Sequence, residues 1–320
     1  MGTSLPPTTV LAWFDRHERD LPWRAPGLPA WQILISEIML QQTPVSRVIG
    51  PWTEWVQRWP TPSAMAASTP AEVLRAWGKL GYPRRALRLH ECAKVLAADH
   101  GDRVPEDVAT MLSLPGIGDY TARAVACFAY GQAVPVVDTN VRRVIARAVH
   151  GRAEPGNPSR SDLDDADALL PRTPRGSFAH SAPRYSAALM ELGALVCTAR
   201  NPRCDDCPIS DCAWVTLGRP AHVGPRRRVQ KFAGTDRQVR GLLLDVLRDN
   251  DFPVDRTRLD AVWTTDAAQR DRALDSLLTD GLVELTADGR YCLAGEGSPE
   301  ADSDVGEPLH PSEDRSLQAR

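Results

Sequence analysis

Two carboxylates and a group of four cysteines are the residues of this 320-residue chain whose types and spacing could do chemistry. Asp138 follows the short apolar run Val134 to Val137 and stands directly before Thr139-Asn140 and a basic helix expected from about Val141. A carboxylate at a helix start stays ionised easily, because the amide dipoles there favour negative charge. Taken alone, such a residue reads as a helix cap. Glu37 is the one acid in the apolar run Trp31 to Gln41, among Ile35, Ile38 and Met39. A carboxyl in aliphatic surroundings is desolvated, so its pKa rises and it can donate a proton near neutrality; a place on the polar stripe of the same helix satisfies the spacing equally. Cys197, Cys204, Cys207 and Cys212 form Cys-X6-Cys-X2-Cys-X4-Cys. Four thiols in sixteen residues bind a metal centre far more often than they form disulfides, and spacing alone admits zinc. Cys92, Cys127 and Cys292 sit on apolar faces as packing residues.

The elements that position these groups are helical. Leu114-Pro115-Gly116-Ile117-Gly118 puts two glycines two apart before the apolar-periodic run Tyr120 to Tyr130, which reads as helix, tight turn, helix. Such a hairpin offers backbone N–H groups at a helix start to a phosphate and grips a strand without reading sequence. Upstream, Val10 to Arg19 is a short amphipathic helix broken by Leu21-Pro22-Trp23-Arg24, and Gln41-Gln42-Thr43-Pro44 closes the helix that carries Glu37. The two adjacent amides could fill space inside a duplex and pair with base edges. Ala71 to Trp77 is a further helix, ended by Gly78-Lys79-Leu80-Gly81. Tyr82, with Arg84 and Arg85 beside it, then presents an aromatic ring and two cations on a turn, a combination suited to wedging between bases.

Charge divides the chain. Residues 1–231 carry a formal +6 and residues 232–320 carry −9, so the first part is the candidate nucleic-acid binder. No run of eighteen apolar residues exists and Met1 to Pro7 lacks a signal-peptide pattern, which predicts a cytoplasmic protein with no membrane contact. Residues 221–235, with Arg226-Arg227-Arg228, read as a linker. Asp236 to Arg248, Arg256 to Trp263 and Ala267 to Asp280 read as three helices, followed by a hairpin at 282–293. Residues 236–294 thus form a small winged-helix-like domain with an excess of acid, and 295–320 an acidic tail predicted to be disordered.

LPWR, SEIMLQQT, LGYPRRALRLH, LPGIGDYTA and VVDTNVRRV occur in one order and at one overall spacing. Together they resemble the adenine DNA glycosylases of the MutY type, in their short actinobacterial-like form, within the helix-hairpin-helix superfamily that includes endonuclease III. The resemblance spans roughly residues 10–215. It implies a mainly α, two-lobed fold over 1–220, with residues 28–136 as the helical barrel and residues 1–27 with 137–220 as an iron–sulfur cluster lobe. It also implies a [4Fe–4S] cluster on Cys197, Cys204, Cys207 and Cys212, although the family interval before the last cysteine is five residues rather than four. Arg200 and Arg203 would face phosphate. Gln41, Gln42, Thr43, Tyr82, Arg84, Arg85, Leu114, Gly116 and Gly118 would contact double-stranded DNA, bound by a monomer. Glu37 would protonate the base, Asp138 would stabilise the sugar cation, Tyr120 would stand beside it and Asn140 would orient water or carboxylate. The implied substrate is adenine opposite 8-oxoguanine or guanine, on nucleoid DNA. Tyr120 replaces the lysine of strand-cleaving sisters, which implies a monofunctional enzyme. The alternatives are a thymine mismatch glycosylase of the same superfamily and a non-enzymatic iron–sulfur DNA-binding regulator.

Overall fold

The computed structural model describes residues 5–171, 181–222 and 232–297, which divide into two compact units, Met1–Ala233 and Gly234–Arg320. In the first unit the chain opens with α1 (Pro7–His17) and a 3-10 turn at Pro22–Arg24, then enters a helical lobe. That lobe comprises α2 (Ala30–Leu40), α3 (Val45–Arg58), α4 (Pro62–Ala66), α5 (Pro70–Trp77), α6 (Arg84–Asp99), α7 (Val108–Leu112) and α8 (Asp119–Phe128). α2 is apolar almost all round, so it is a central helix, buried from Trp31 through Met39 against α3, α6 and α8. Beside it Trp55 meets Trp59 and Trp77 edge to face, at 4.8 and 5.3 Å between ring centroids. Their indole N–H groups find acceptors at Ala76 O, Ser68 Oγ and Gly81 O, so the rings are buried without orphaned donors. α5 starts on a reciprocal capping box between Thr69 and Glu72 with Pro70 in its first turn.

The second lobe joins the two ends of the unit. α9 (Thr139–Ala148), α10 (Ser161–Leu169), α11 (Ser181–Leu195), the cysteine loop with its 3-10 turn at Cys204–Asp206 and α12 (Ala213–Thr216) pack with α1. Its core is one cluster, with Val10, Trp13 and Phe14 from the beginning of the chain against Val141, Val144, Ile145, Tyr185, Leu189 and Leu192. Sequence distance therefore does not separate 1–27 from 137–220. α9 begins at Thr139, two residues before the expected start, because Asp138 caps it; α11 begins four residues before Tyr185.

The second unit holds α13 (Asp236–Arg248), α14 (Arg256–Asp260), α15 (Ala267–Thr279) and the hairpin of β1 (Val283–Leu285) with β2 (Tyr291–Leu293). Val254 bridges to Tyr291 on the free side of β2. Three helices followed by a hairpin match the expected element order, except that α14 stops at Asp260 rather than Trp263. The expected linker at 221–235 and tail at 295–320 fall largely outside the described residues. Among the described residues no helix is long and apolar enough to cross a membrane.

Candidate active site

A cavity of about 1300 Å³ lies between the two lobes and is lined by Glu37, Tyr120, Asp138 and Asn140 together. Glu37 comes from the middle of α2, only 6% exposed. Burial pushes its carboxyl up to about 7, opposed by the Tyr120 hydroxyl that donates to it and reinforced by the charge of Asp138. Tyr120, at the start of α8, is itself raised well above the ordinary phenol range by burial and by facing both carboxylates, so it is a neutral donor. Asp138 caps α9: Oδ1 accepts the Val141 N–H at 2.7 Å and Oδ2 accepts Asn140 Nδ2 at 2.8 Å. Capping was expected to keep this carboxyl in its usual range. Instead burial raises it, and the bonds from Val141 and Asn140 only partly reverse the rise. The pair is thus one carboxyl wrapped in hydrocarbon beside another held by two N–H donors.

Asn140 is aimed by a residue the sequence reading missed. Arg143, one turn along α9, donates to Asn140 Oδ1 at 2.7 Å, to Gly193 O at 2.7 Å and to Cys197 O at 2.6 Å. With its oxygen occupied, the Asn140 amide can only turn its nitrogen to Asp138. A run of hydrogen bonds therefore joins the Cys197 backbone to the capping carboxylate. α11 comes close enough for this because residue 193 has no side chain: a Cβ there would stand 2.6 Å from Asn140 Cβ and 2.9 Å from its carbonyl oxygen.

The cysteine loop follows. Burial pushes the Cys207 thiol up to about 11, with Cys197, Cys212 and Cys204 each close enough to add to the rise. Buried Arg147 donates to Cys197 Sγ at 3.5 Å and to Thr198 O at 2.8 Å, and stacks over Trp214 at 4.9 Å. Among the described residues no three His, Cys, Asp or Glu side chains converge as a single-ion site. Four thiols near enough to influence one another, with the buried Arg147 guanidinium at Cys197 Sγ, fit an anionic iron–sulfur centre.

The loops expected to meet DNA separate into two kinds. Gln42 and Tyr82 both have positive φ, 56° and 48°, and both side chains are exposed. Gly116, at φ +77°, makes the hairpin turn, while Gly118 starts α8 with open space where a side chain would be. Arg84 and Arg200 are exposed. Gln41 instead turns to Thr121 Oγ1 at 3.2 Å. Thr43 is buried and bonds to the Gln41 and Leu80 carbonyls, and the Leu114 side chain is buried under the hairpin turn. Arg85 is turned to protein acceptors. Its guanidinium donates to Ile38 O at 2.7 Å, to the carbonyls of Met39, Gln41 and Gly81, and to Thr43 Oγ1, and it lies over Trp77. Arg85 thereby satisfies the last carbonyls of α2 and ties the Gln42 loop to the Tyr82 turn. Arg203 is largely exposed, yet its guanidinium caps the end of α11 through Leu195 O.

Residues 35–159 match the family described as HhH-GPD superfamily base excision DNA repair protein, and residues 197–211 match the iron-sulfur binding domain of endonuclease III. The second match stops one residue short of Cys212, where the interval is shortened. The chain is 66% identical over 294 residues to an adenine DNA glycosylase of Mycolicibacterium smegmatis, covering 92% of this chain and 98% of that protein. The chain belongs to the adenine DNA glycosylases. It is also 39% identical to the adenine DNA glycosylase of Homo sapiens, over 63% of this chain and 37% of that longer protein. Its fold matches a solved thermostable thymine-DNA glycosylase, with a TM-score of 0.59 at 28% identity, over 66% of this chain and 95% of that one.

This glycosylase carries a [4Fe–4S] centre, and its family sets aside the reading as a non-enzymatic regulator. Besides Arg143 and Arg147, the sequence reading missed Glu191, a fully buried carboxylate in the cavity wall bonded to Arg19 and Arg24. The signals were present: Arg143 and Arg147 are four apart on a helix whose neighbours Val144, Ile145 and Ala148 are core. Glu191 is the lone acid of the apolar run Ala187 to Val196.

Proposed function

We propose that the cavity binds an adenine flipped out of a duplex in which it stood opposite 8-oxoguanine or guanine, and that the enzyme hydrolyses its N-glycosidic bond without cutting the strand. The observation that carries this reading is the buried Glu37 carboxyl beside the capped Asp138 carboxylate in one cleft. Inside a stacked duplex the bond is out of reach, so the nucleotide must leave the helix. Gln42 and Tyr82 hold the gap it leaves. Glu37 gives its proton to adenine N7, the C1′–N9 bond breaks with its electron pair going to the base, and neutral adenine departs. The sugar is left cationic, and Asp138 stabilises it. Glu37, now ionised, accepts a proton from the water that attacks C1′, which restores the enzyme, as paired carboxyl groups do in hydrolysis of other glycosidic bonds. The iron–sulfur centre, when bound on the four cysteines, orders the loop that presents Arg200; the cysteine loop's own hydrogen bonds through Arg143 hold Asn140 toward Asp138.

A thymine in a G·T mismatch is the second substrate reading, favoured by the likeness to a thymine-DNA glycosylase and by Tyr120. Incubation of the cluster-loaded protein with an adenine·8-oxoguanine duplex and a G·T duplex in parallel, followed by alkali, separates the two. Scission at adenine alone is expected, while scission at thymine alone would transfer the site to the other substrate. The enzyme is proposed to act as a monomer on chromosomal DNA in a reducing cytoplasm, a setting consistent with its free thiols.

A further inference from the structure

The cavity wall holds a fully buried carboxylate that the chemistry above does not use. Glu191 projects from α11 with no exposed side-chain surface. Its oxygens accept the Arg19 backbone N–H at 3.0 Å, Arg19 Nε at 2.7 Å, Arg19 Nη2 at 2.8 Å and Arg24 Nη2 at 2.9 Å. Both arginines come from the segment between α1 and α2, so this one carboxylate fastens that segment to α11 within the same lobe. Arg24 is held further by the Arg19 carbonyl at 3.3 Å and lies over the Phe14 ring at 5.4 Å. Arg24 lines the same cavity as Glu37, and its charge is the smallest of the influences on that carboxyl. A guanidinium facing the same cavity as a carboxyl favours the ionised carboxylate, which is the wrong state for a proton donor.

We infer that Glu191 is a positioning residue that fixes Arg24 and balances its charge, so that Glu37 keeps its proton at the pH where the enzyme works. The inference rests on the reading of Glu37 as the acid. The groups facing Glu37 are Tyr120 and Cys127 from α8, Asp138 from the start of α9 and Arg24 from the 3-10 turn. Those around Glu191 are Arg19 and Arg24, with Glu18 at the end of α1 lying 4.0 Å from Arg24 and shared with Arg184. Of the two acids ion-paired with Arg24, only Glu191 is buried and directly hydrogen-bonded to it. The balance is reciprocal: both arginines hold Glu191 ionised, since burial alone would raise its carboxyl and their hydrogen bonds bring it below the usual range.

The test is the pH dependence of single-turnover excision from an adenine·8-oxoguanine duplex, from about pH 5 to about pH 9, using full-length cluster-loaded protein. Wild type should show a falling limb as Glu37 loses its proton. In Glu191→Gln that limb should move down by about one pH unit, which makes excision about tenfold slower on the alkaline side and less impaired on the acid side. Arg24→Gln should move it the other way, and the double variant should bring it back near wild type, because the two effects act on one group through one contact. A uniform rate loss with the limb unmoved in Glu191→Gln would reduce Glu191 to a scaffold and overturn the inference. If Glu191→Gln does not fold, Arg24→Gln decides alone, and an unmoved limb in it is equally contrary. A wild-type profile with no falling limb would instead remove Glu37 as the acid, and this inference with it.

Discussion

Glu37 shows how burial sets both chemistry and stability at one atom pair. Its carboxyl sits at about 7 against an ordinary 4.5, so the folded protein holds the proton more tightly than the unfolded chain does. The stability this contributes is full below about pH 4.5 and is lost as pH rises through about 7, where the buried group must ionise. The difference amounts to roughly 3 kcal/mol. Glu37→Gln should therefore melt higher than wild type at pH 8 and converge with it near pH 4.5, while excision is abolished; an equal melting-point difference at both values would mean that Glu37 is not desolvated. Tyr120 is the adjoining residue, already bonded to Glu37 and facing Asp138. Tyr120→Lys should place an amine next to the sugar and create strand cleavage through a Schiff base. Borohydride trapping reports it, and excision without any trapped complex would show that residue 120 does not face C1′.

At the scale of elements, the site depends on how tightly α11 lies against the start of α9. Gly193→Ala would drive a methyl group into Asn140, including its backbone, and displace the cap that places Asp138. Single-turnover excision should fall by about a hundredfold while mismatch binding and cluster absorbance persist, because a displacement near 1 Å is enough to misalign reacting groups. Unchanged excision would mean that α9 can shift without moving Asp138. The helices themselves were legible in the sequence: α2, α8, α9, α13 and α15 lie where periodicity and caps put them, to within a few residues. Glu37 was legible because a single acid in an apolar run has few places to go. Glu191 follows the same pattern, one acid in the apolar run Ala187 to Val196. The role of Arg85 in the fold was not legible for a physical reason. A cation beside a tyrosine on a turn reads as part of a wedge for bases, whereas α2 ends without a glycine cap and needs a guanidinium to satisfy its carbonyls, a demand visible only once the Gly81 turn folds back onto Gln41.

At the scale of the molecule, the two halves of the chain differ in charge, +6 over residues 1–231 and −9 over 232–320. In the second unit Arg240, Arg248, Arg256, Arg270, Arg272 and Arg290 are each paired with an aspartate of the same unit, leaving an acidic surface that phosphate would repel. The first unit has the cleft, the hairpin and the exposed Gln42 and Tyr82. Its α11 carries Ala187 in the cavity lining, where a polar side chain would give the base one more hydrogen bond, worth about 1 kcal/mol net. Selection of adenine should accordingly rest more on Glu37 and the shape of the cavity, and discrimination between 8-oxoguanine and guanine opposite it should not involve the second unit. Truncation after Lys231 should leave the ratio of the two excision rates unchanged; loss of that ratio in a folded, iron-replete truncation would assign lesion reading to the second unit. The most direct test of the whole account is chromatography of the free base released in a single turnover on adenine·8-oxoguanine duplex, by wild type and by Asp138→Asn. Wild type should release adenine and leave an intact abasic strand, and Asp138→Asn should bind the same duplex and release almost none. Adenine release by Asp138→Asn at the wild-type rate, or no adenine from wild type, would contradict it.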